Sequence, residues 1–136
     1  MRDLERIELI IQDIEVYRKK LKDFNIKTKK DLDDDKNYFS SSMLVFNIIN
    51  RLIDLAEEVV RQKNLIVAFK YKDFFDSLLQ AKLISKKTSE ECKELIALRN
   101  KISHRYGKVT KEEILKSIQK VNVIENFIEE LKKNLI

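Results

Sequence analysis

Residues 39–60 read FSSSMLVFNIINRLIDLAEEVV, and apolar side chains recur through them at steps of three and four residues. That period matches one face of an α-helix, so the stretch predicts a long helix that ends near residues 62–64. Further apolar residues broaden this face, as expected for a helix that contacts more than one neighbour. The stripe comprises Phe39, Met43, Phe46, Ile49 or Asn50, Ile53, Ala56 and Val60, and the broadening residues are Val45, Leu52 and Leu55.

Similar stripes on both sides of this helix predict three more long helices and one short helix. Dense charge without a stripe predicts a loop over residues 25–35, and its aspartates are suited to cap the helix that follows. The predicted helices cover residues 3–24, about 72–81, 88–107 and 110–135.

Three local signals set the ends of the last two helices. Thr88 with Glu91, and Thr110 with Glu113, have the spacing of a capping box, which marks a helix start. Gly107 is the natural residue for a left-handed cap, so it predicts the end of the helix that begins at Thr88.

Composition agrees with a helical protein. The chain has 136 residues, no proline and a single glycine, and 43% of its residues are hydrophobic while 38% are charged. Such a composition favours long uninterrupted helices over sheets joined by turns. We therefore expect one all-α domain over residues 1–136, an up-and-down helical bundle of four main helices plus one short helix.

The charge pattern allows weak contact with a polyanion and does not require it. The formal net charge is +5, from 28 Lys and Arg against 23 Asp and Glu. A basic stretch over residues 18–30 is followed at once by acidic residues 31–35, so a solvated helix face and loop is the preferred interpretation over a nucleic-acid patch. No motif for a metal or a cofactor is visible, and we expect neither.

Cys92 is the only cysteine, so the sequence offers no intramolecular disulfide and no cysteine metal cluster. We expect an inert thiol on a helix. The amino terminus carries acidic residues from the start, and no apolar run approaches the length of a membrane span. These features lead us to expect a cytoplasmic protein without a signal peptide or a contact with membranes.

The residues most able to carry chemistry lie in residues 98–107, which read LRNKISHRYG. His104 is the only histidine of the chain, and histidine is the side-chain type whose charge ordinarily changes near neutral pH. A purely structural role is the alternative, because a histidine near the carboxyl end of a helix also interacts favourably with the helix dipole.

Helix geometry limits how this stretch can form a site. Arg99 and His104 are five residues apart, so on an ideal helix they differ by about 140° in direction and about 7.5 Å in height. Asn100 and His104 do share a face. A site that uses both Arg99 and His104 needs a distorted last turn, a long reach by the arginine, or a second subunit.

These side-chain types suit RNA cleavage without a metal. That reaction needs proton transfer from a ribose 2′-hydroxyl and to the leaving 5′-oxygen, and stabilisation of charge on the phosphate. His104 can move the proton, while Arg99 offers a fork of donors to phosphate and Arg105 a second positive group. Asn100 is suited to orient the imidazole or hold the ribose, and Tyr106 to stack on a base or donate to phosphate.

The pattern of Arg99, Asn100, His104 and Tyr106 near the end of a helix resembles the signature of HepT-like toxins of the HEPN superfamily. The resemblance extends over residues 71–85 and the terminal amphipathic helix. It implies a small all-helical ribonuclease, the toxin of a type VII-like toxin-antitoxin system, which is paired with a minimal nucleotidyltransferase antitoxin of the MntA type.

The resemblance also assigns roles to residues. It implies that Arg99 and His104 are the catalytic residues, at a cleft between two subunits of a homodimer that cleaves RNA. It further implies that the antitoxin neutralises the toxin by transferring AMP onto Tyr106, because a bulky anion two residues from His104 would repel RNA and obstruct the cleft. Family members often carry a glutamate on the second helix, for which Glu57 and Glu58 are alternatives.

Two other functions remain open from the residues alone. The chain could be a non-catalytic accessory subunit that binds nucleotide or substrate for a minimal nucleotidyltransferase, or an interaction scaffold without activity. Loss of RNA cleavage in a folded variant of His104 would separate the enzyme from both.

Overall fold

The computed structural model describes residues 2–65, 69–105 and 108–135. Within these ranges every regular element is helical and none is a strand, which confirms the all-α prediction. The elements are α1 (Arg2–Asp23), a 3-10 helix (Lys29–Asp33), α2 (Asp35–Gln62), α3 (Tyr71–Gln80), α4 (Lys86–His104), α5 (Lys111–Lys120) and α6 (Val123–Leu135).

Contacts between α1 and α2 show that the two helices are antiparallel. Arg6 Nη1 lies 3.4 Å from Glu58 Oε1, near the start of α1 and the end of α2. Further along α1, Asp13 Oδ2 accepts a hydrogen bond of 3.0 Å from Arg51 Nε, which lies earlier on α2. The reversed order of partners requires that the chain turn back between the two helices.

The same test shows that α2 and α4 are antiparallel. Arg99 Nε donates to Asn50 Oδ1 at 2.8 Å, whereas Tyr38, earlier on α2, donates from its hydroxyl to the carbonyl oxygen of Val109, beyond the end of α4.

The last helices return along α4. Lys120 at the end of α5 pairs with Glu94, and Glu130 on α6 accepts a hydrogen bond of 2.6 Å from the backbone N–H of Ser85 at the start of α4. The bundle therefore has four main helical units that alternate in direction, as predicted. These units are α1, α2, α4 and the pair formed by α5 and α6.

The helix expected over residues 110–135 is divided at Val121 and Asn122. Backbone bonds at the junction span three residues, from Ile124 N to Val121 O and from Glu125 N to Asn122 O, both 3.1 Å. Such bonds form a tighter turn than an α-helix. The apolar stripe continues across the junction, so periodicity alone gave no sign of it.

α2 lies at the centre of the core. It contacts α1, α3, α4 and α5, which explains why its apolar face is broad. The first two residues of the predicted apolar stripe are not part of the core. Phe39 and Met43 are exposed over 55% and 45% of their surfaces. The fully buried apolar residues of α2 are Val45, Ile48, Ile49, Leu52, Leu55, Ala56 and Val59.

Capping explains where the helices begin. Asp34 accepts a hydrogen bond of 3.0 Å from Asn37 N and starts α2, as the aspartates of the loop predicted. Thr110 and Glu113 form the expected capping box, in which each side chain accepts a bond of 3.1 Å from the other's backbone N–H.

The capping box predicted at Thr88 is wrong, because α4 begins two residues earlier. Ser85 is the cap, and its Oγ accepts a bond of 3.2 Å from Thr88 N. Thr88 is buried, and its hydroxyl donates to Glu130 on α6, so a tertiary contact uses the group that would cap a helix.

Gly107, the predicted cap of α4, lies outside the described residues. The ends of α1 and α2 instead involve asparagines: Asn25 and Asn64 have φ of 52° and 51°. Asparagine tolerates this left-handed conformation better than most residues with a Cβ.

Cys92 is fully buried on α4, and burial raises the pKa of its thiol. This environment agrees with the inert thiol expected from sequence. Within the three described ranges, every helix lacks the combination of length and apolar composition that crossing a membrane requires.

Candidate functional site

The centre of the candidate site is Arg99, whose guanidinium is held by two hydrogen bonds. Its Nε donates to Asn50 Oδ1 on α2 at 2.8 Å, and its Nη1 donates to Asn100 Oδ1 at 3.1 Å. The side chain is half-buried near the end of α4. A guanidinium has five N–H donors, and no described residue accepts from Nη2. Donors are therefore available for a ligand while the group keeps a fixed orientation.

Two aromatic rings also hold this guanidinium. Its central carbon lies 5.2 Å from the ring centroid of Phe46 on α2 and 5.5 Å from that of Tyr71 at the start of α3. Both distances are within the range of cation–π attraction. Three helices thus position Arg99, which favours one rotamer of a side chain that is otherwise flexible.

His104 is the last residue of α4, and its side chain is exposed. The imidazole can therefore reach a ligand from solvent. Arg99 and His104 belong to the same regular helix, so their separation along and around the axis remains the one expected from sequence. A distorted last turn is excluded, because Arg105 N still donates to Lys101 O at 3.0 Å.

The Asn100 side chain contacts that of its neighbour Arg99. Its Oδ1 accepts from the guanidinium, and none of the described hydrogen bonds joins it to the imidazole. In this structure the carbonyl oxygen of Asn100 therefore supports Arg99, and the expected role of Asn100 in orienting His104 or holding a ribose stays a prediction.

Arg105 extends toward α5. Its Nη1 lies 3.8 Å from Glu113 Oε1, and Lys101 Nζ lies 3.4 Å from Glu113 Oε2. The Thr110 backbone N–H, followed by the Thr110 hydroxyl and Lys101, holds the pKa of the Glu113 carboxyl below its ordinary value. Because Arg105 is exposed, this ion pair stabilises little and leaves the arginine able to meet an anion. Tyr106, the predicted modification site, lies outside the described residues.

An apolar groove of about 120 Å³ runs between the first turns of α2 and the end of α4. Its α2 wall includes the ring of Phe46, the same ring that contacts the Arg99 guanidinium. Its lining includes Tyr38, Phe39, Ser42, Met43, Phe46 and Ser103.

The two glutamates considered on α2 differ in environment. Glu57 is exposed, and its Oε1 lies 3.6 Å from Arg61 Nη2. Glu58 is buried and also contacts Arg6 and Arg61, at 3.4 Å and 3.7 Å. Both lie about two helical turns, or roughly 11–12 Å, beyond Asn50, so neither is a neighbour of Asn50 along the helix.

Two residues of the basic stretch over residues 18–30 form ion pairs with acidic side chains. Arg18 contacts Glu125 at 2.7 Å, and Lys29 contacts Glu112 at 2.6 Å. These pairs agree with the preferred interpretation as a solvated face. In the described ranges, no group of three or more His, Cys, Asp or Glu is arranged to hold a metal ion.

Sequence reasoning missed Asn50, Phe46 and Tyr71 as parts of the site. One signal was present: Asn50 occupies a position in an apolar stripe where an isoleucine would fit. A half-buried amide in such a stripe needs a hydrogen-bond partner, which indicates a polar contact with another helix. Phe46 and Tyr71 gave no such signal, since aromatic residues are ordinary members of a core.

Comparison with solved structures shows the fold. The chain superposes with a TM-score of 0.83 on the Bacillus subtilis protein YutE, described as a cytosolic protein of unknown function, at 20% identity over 98% of this chain and 90% of that one. A toxin-antitoxin crystal structure with AMP-PNP gives a TM-score of 0.85 at 22% identity, covering 94% and 98%.

A third structure is the tri-AMPylated HEPN toxin of Shewanella oneidensis in complex with MNT antitoxin, with a TM-score of 0.85 at 23% identity, covering 94% and 97%. No curated protein matches the sequence at a significant level.

The family model described as ribonuclease HepT-like matches residues 7–131, which include all of α2 to α5 and the whole Arg99–His104 segment. With the helical bundle and the arginine-histidine segment at the end of α4, this match shows that the chain belongs to the HepT-like family.

Proposed function

We propose that the chain is a metal-independent endoribonuclease toxin, in which Arg99 and His104 carry the chemistry at a cleft between two subunits. One observation carries the proposal: a guanidinium fixed by two hydrogen bonds and two rings lies on the same helix end as an exposed imidazole. Membership of the HepT-like family, described as ribonuclease, supports the activity.

In the proposed reaction, one imidazole removes the proton of a ribose 2′-hydroxyl. The 2′-oxygen then forms a bond to phosphorus, and the bond from phosphorus to the 5′-oxygen breaks. A protonated imidazole gives its proton to that leaving oxygen, so the products are a 2′,3′-cyclic phosphate and a 5′-hydroxyl. Because each chain has one histidine, the base and the acid come from the His104 residues of two subunits.

Arg99 binds the phosphate while negative charge grows on its oxygens. Donors that are already oriented need little rearrangement in the transition state, and such preorganisation is a major source of rate enhancement. Asn100 supports the guanidinium through its carbonyl oxygen, and Arg105 adds positive charge at the edge of the cleft.

The proposed partner is a minimal nucleotidyltransferase antitoxin, which neutralises the toxin by transferring AMP onto Tyr106. The HEPN toxin of Shewanella oneidensis, which has the same fold, is tri-AMPylated and bound to MNT antitoxin, and this supports both parts of the proposal. An added phosphate two residues from His104 in the sequence would repel the RNA backbone.

Purified His104→Ala and Arg99→Ala variants test this function. Both are expected to remain folded and to lose RNA cleavage, while Lys133→Ala on the exposed end of α6 keeps it. Equal cleavage by His104→Ala and the parent would show that the imidazole is not the acid or base. A parent chain that binds nucleotide and cuts no RNA would instead favour the accessory-subunit function.

A further inference from the structure

The groove between α2 and α4 has the shape and chemistry of a small aromatic site. Its volume is about 120 Å³, and its walls are mainly apolar. A cavity of about 150 Å³ lined by aliphatic and aromatic side chains accepts a benzene molecule, so the groove is close to the size of one aromatic ring.

Its rim presents an aromatic surface to solvent. Phe39 is exposed over 55% of its surface and packs edge to face on Tyr38, with ring centroids 4.9 Å apart. The Tyr38 hydroxyl donates to the carbonyl oxygen of Val109, which fixes the ring that supports Phe39. Exposed, supported aromatic rings of this kind are the surfaces on which unpaired nucleobases stack.

Two hydroxyl groups at the groove add polar contacts. Ser42 Oγ donates to Tyr38 O at 2.6 Å and still has lone pairs able to accept. Ser103 Oγ, half-buried, makes no hydrogen bond with the described residues and can donate or accept. A nucleobase has the donors and acceptors at its edge that such hydroxyls complement.

The groove is continuous with the candidate site. The Phe46 ring forms part of its wall and also contacts the Arg99 guanidinium at 5.2 Å, and Ser103 directly precedes His104. Two positive side chains, those of Arg105 and Lys108, are exposed close to His104 in the sequence. An occupant with a flat apolar ring attached to an anionic group fits both regions at once.

We propose that the groove receives an unpaired nucleobase of the RNA strand whose phosphate Arg99 binds. The inference rests on the proposed function and adds a base-binding subsite, formed mainly by Phe39, Met43 and Phe46, to the phosphate site. The enzyme would then require single-stranded RNA, because a paired base cannot enter the groove.

Binding of a fluorescein-labelled single-stranded RNA of eight nucleotides tests the subsite. The full chain carries His104→Ala, so that the probe is not cut. Adding Phe39→Leu removes the flat ring and keeps an apolar side chain, and is expected to weaken binding about fivefold or more. Phe39→Tyr keeps the ring and is expected to bind like the parent. Leu9→Ala, a change at an exposed apolar residue of α1, is the control.

Salt dependence separates the base contact from the phosphate contact. For single strands, each phosphate contact contributes about 0.7 to the slope of log affinity against log salt. Phe39→Leu should leave that slope unchanged. Arg99→Ala should reduce the magnitude of the slope by about 0.7, because one phosphate contact is lost.

Two results would overturn the subsite. Equal affinity of Phe39→Leu and the parent would show that no base stacks there. Loss of self-association in Phe39→Leu, measured by sedimentation without RNA, would show that a second copy of the chain fills the groove. Failure of the unaltered chain to bind or cut RNA is a different result, which overturns the proposed function itself.

Discussion

Arg99 and Asn50 are joined by a hydrogen bond of 2.8 Å between Nε and Oδ1, although 49 residues separate them in the chain. The bond links α4 to α2, the helix at the centre of the core. The orientation of the proposed phosphate-binding group therefore depends on a side chain that lies outside the arginine-histidine segment.

Asn50→Leu is expected to lower kcat/KM for RNA cleavage by about 100-fold, because small displacements of a reacting or binding group have effects of that size. Asn50→Asp keeps an acceptor oxygen and should retain more activity than the leucine variant. Asn47→Leu makes the same change three residues earlier on α2, at a side chain that none of the described hydrogen bonds joins to Arg99, and should cleave like the parent. Equal rates for the two leucine variants would show that Asn50 does not position Arg99.

The Tyr71 ring is the second test of how Arg99 is held. Tyr71→Leu is expected to lower cleavage about two- to fivefold, which is the size of a cation–π contact at an exposed site. Tyr71→Phe preserves the ring and should cleave normally, since the attraction comes from the ring face. If the phenylalanine variant loses as much activity as leucine, the hydroxyl rather than the ring is important.

Thr110→Ala should lower the free energy of unfolding by about 1 kcal/mol in urea titrations, because it removes the cap of α5. Thr110→Ser retains the hydroxyl and is the matched control.

The folded state holds the pKa of Glu113 below its ordinary value, chiefly through the Thr110 backbone N–H, so the ionised carboxylate stabilises folding. This contribution is complete above about pH 4.3, the ordinary value for glutamate, and is lost as the pH falls through the lower folded pKa.

Mixing subunits tests whether two imidazoles act together. Equal amounts of parent and His104→Ala chains are allowed to exchange, and cleavage per parent chain is measured. If both His104 residues of a homodimer are needed, activity should fall to about half, because random exchange leaves about half of the parent chains paired with each other. Unchanged activity would contradict the paired mechanism, since each imidazole would then serve a site of its own.

Co-expression with a minimal nucleotidyltransferase tests the proposed neutralisation. Mass spectrometry of the purified chain should find AMP on Tyr106, and the modified protein should lose RNA cleavage because of the added negative charge. Tyr106→Phe cannot accept the group, so it is expected to escape neutralisation. Modification at other tyrosines alone would contradict the assignment of Tyr106.

Much of this fold could be predicted from the period of apolar residues, which indicated the four main helical units of the bundle and the short helix. Their ends depend on single hydroxyl groups, and here sequence reasoning had mixed success. Thr110 and Thr88 both have a glutamate three residues later, yet only Thr110 caps a helix, because Thr88 is used by Glu130 on α6. Local spacing cannot show which hydroxyl is taken by a distant carboxylate.

The candidate site also has a part that sequence could suggest and a part that only the folded structure reveals. Arg99 and His104 could be named as candidates from sequence because they are close in the chain and have distinctive chemistry. Asn50, Phe46 and Tyr71 act on Arg99 from other helices, and their contacts arise only when the bundle forms. Asn100 has the spacing to face His104, but the adjacent guanidinium uses its carbonyl oxygen.

The buried Cys92 makes transient unfolding around α4 measurable by thiol labelling. It is the only thiol in the sequence, has no exposed surface in the folded state, and lies two helical turns before Arg99 on α4. An aromatic disulfide reagent can modify it only when α4 separates from its neighbours, so the labelling rate follows transient unfolding around the helix that carries the arginine and histidine.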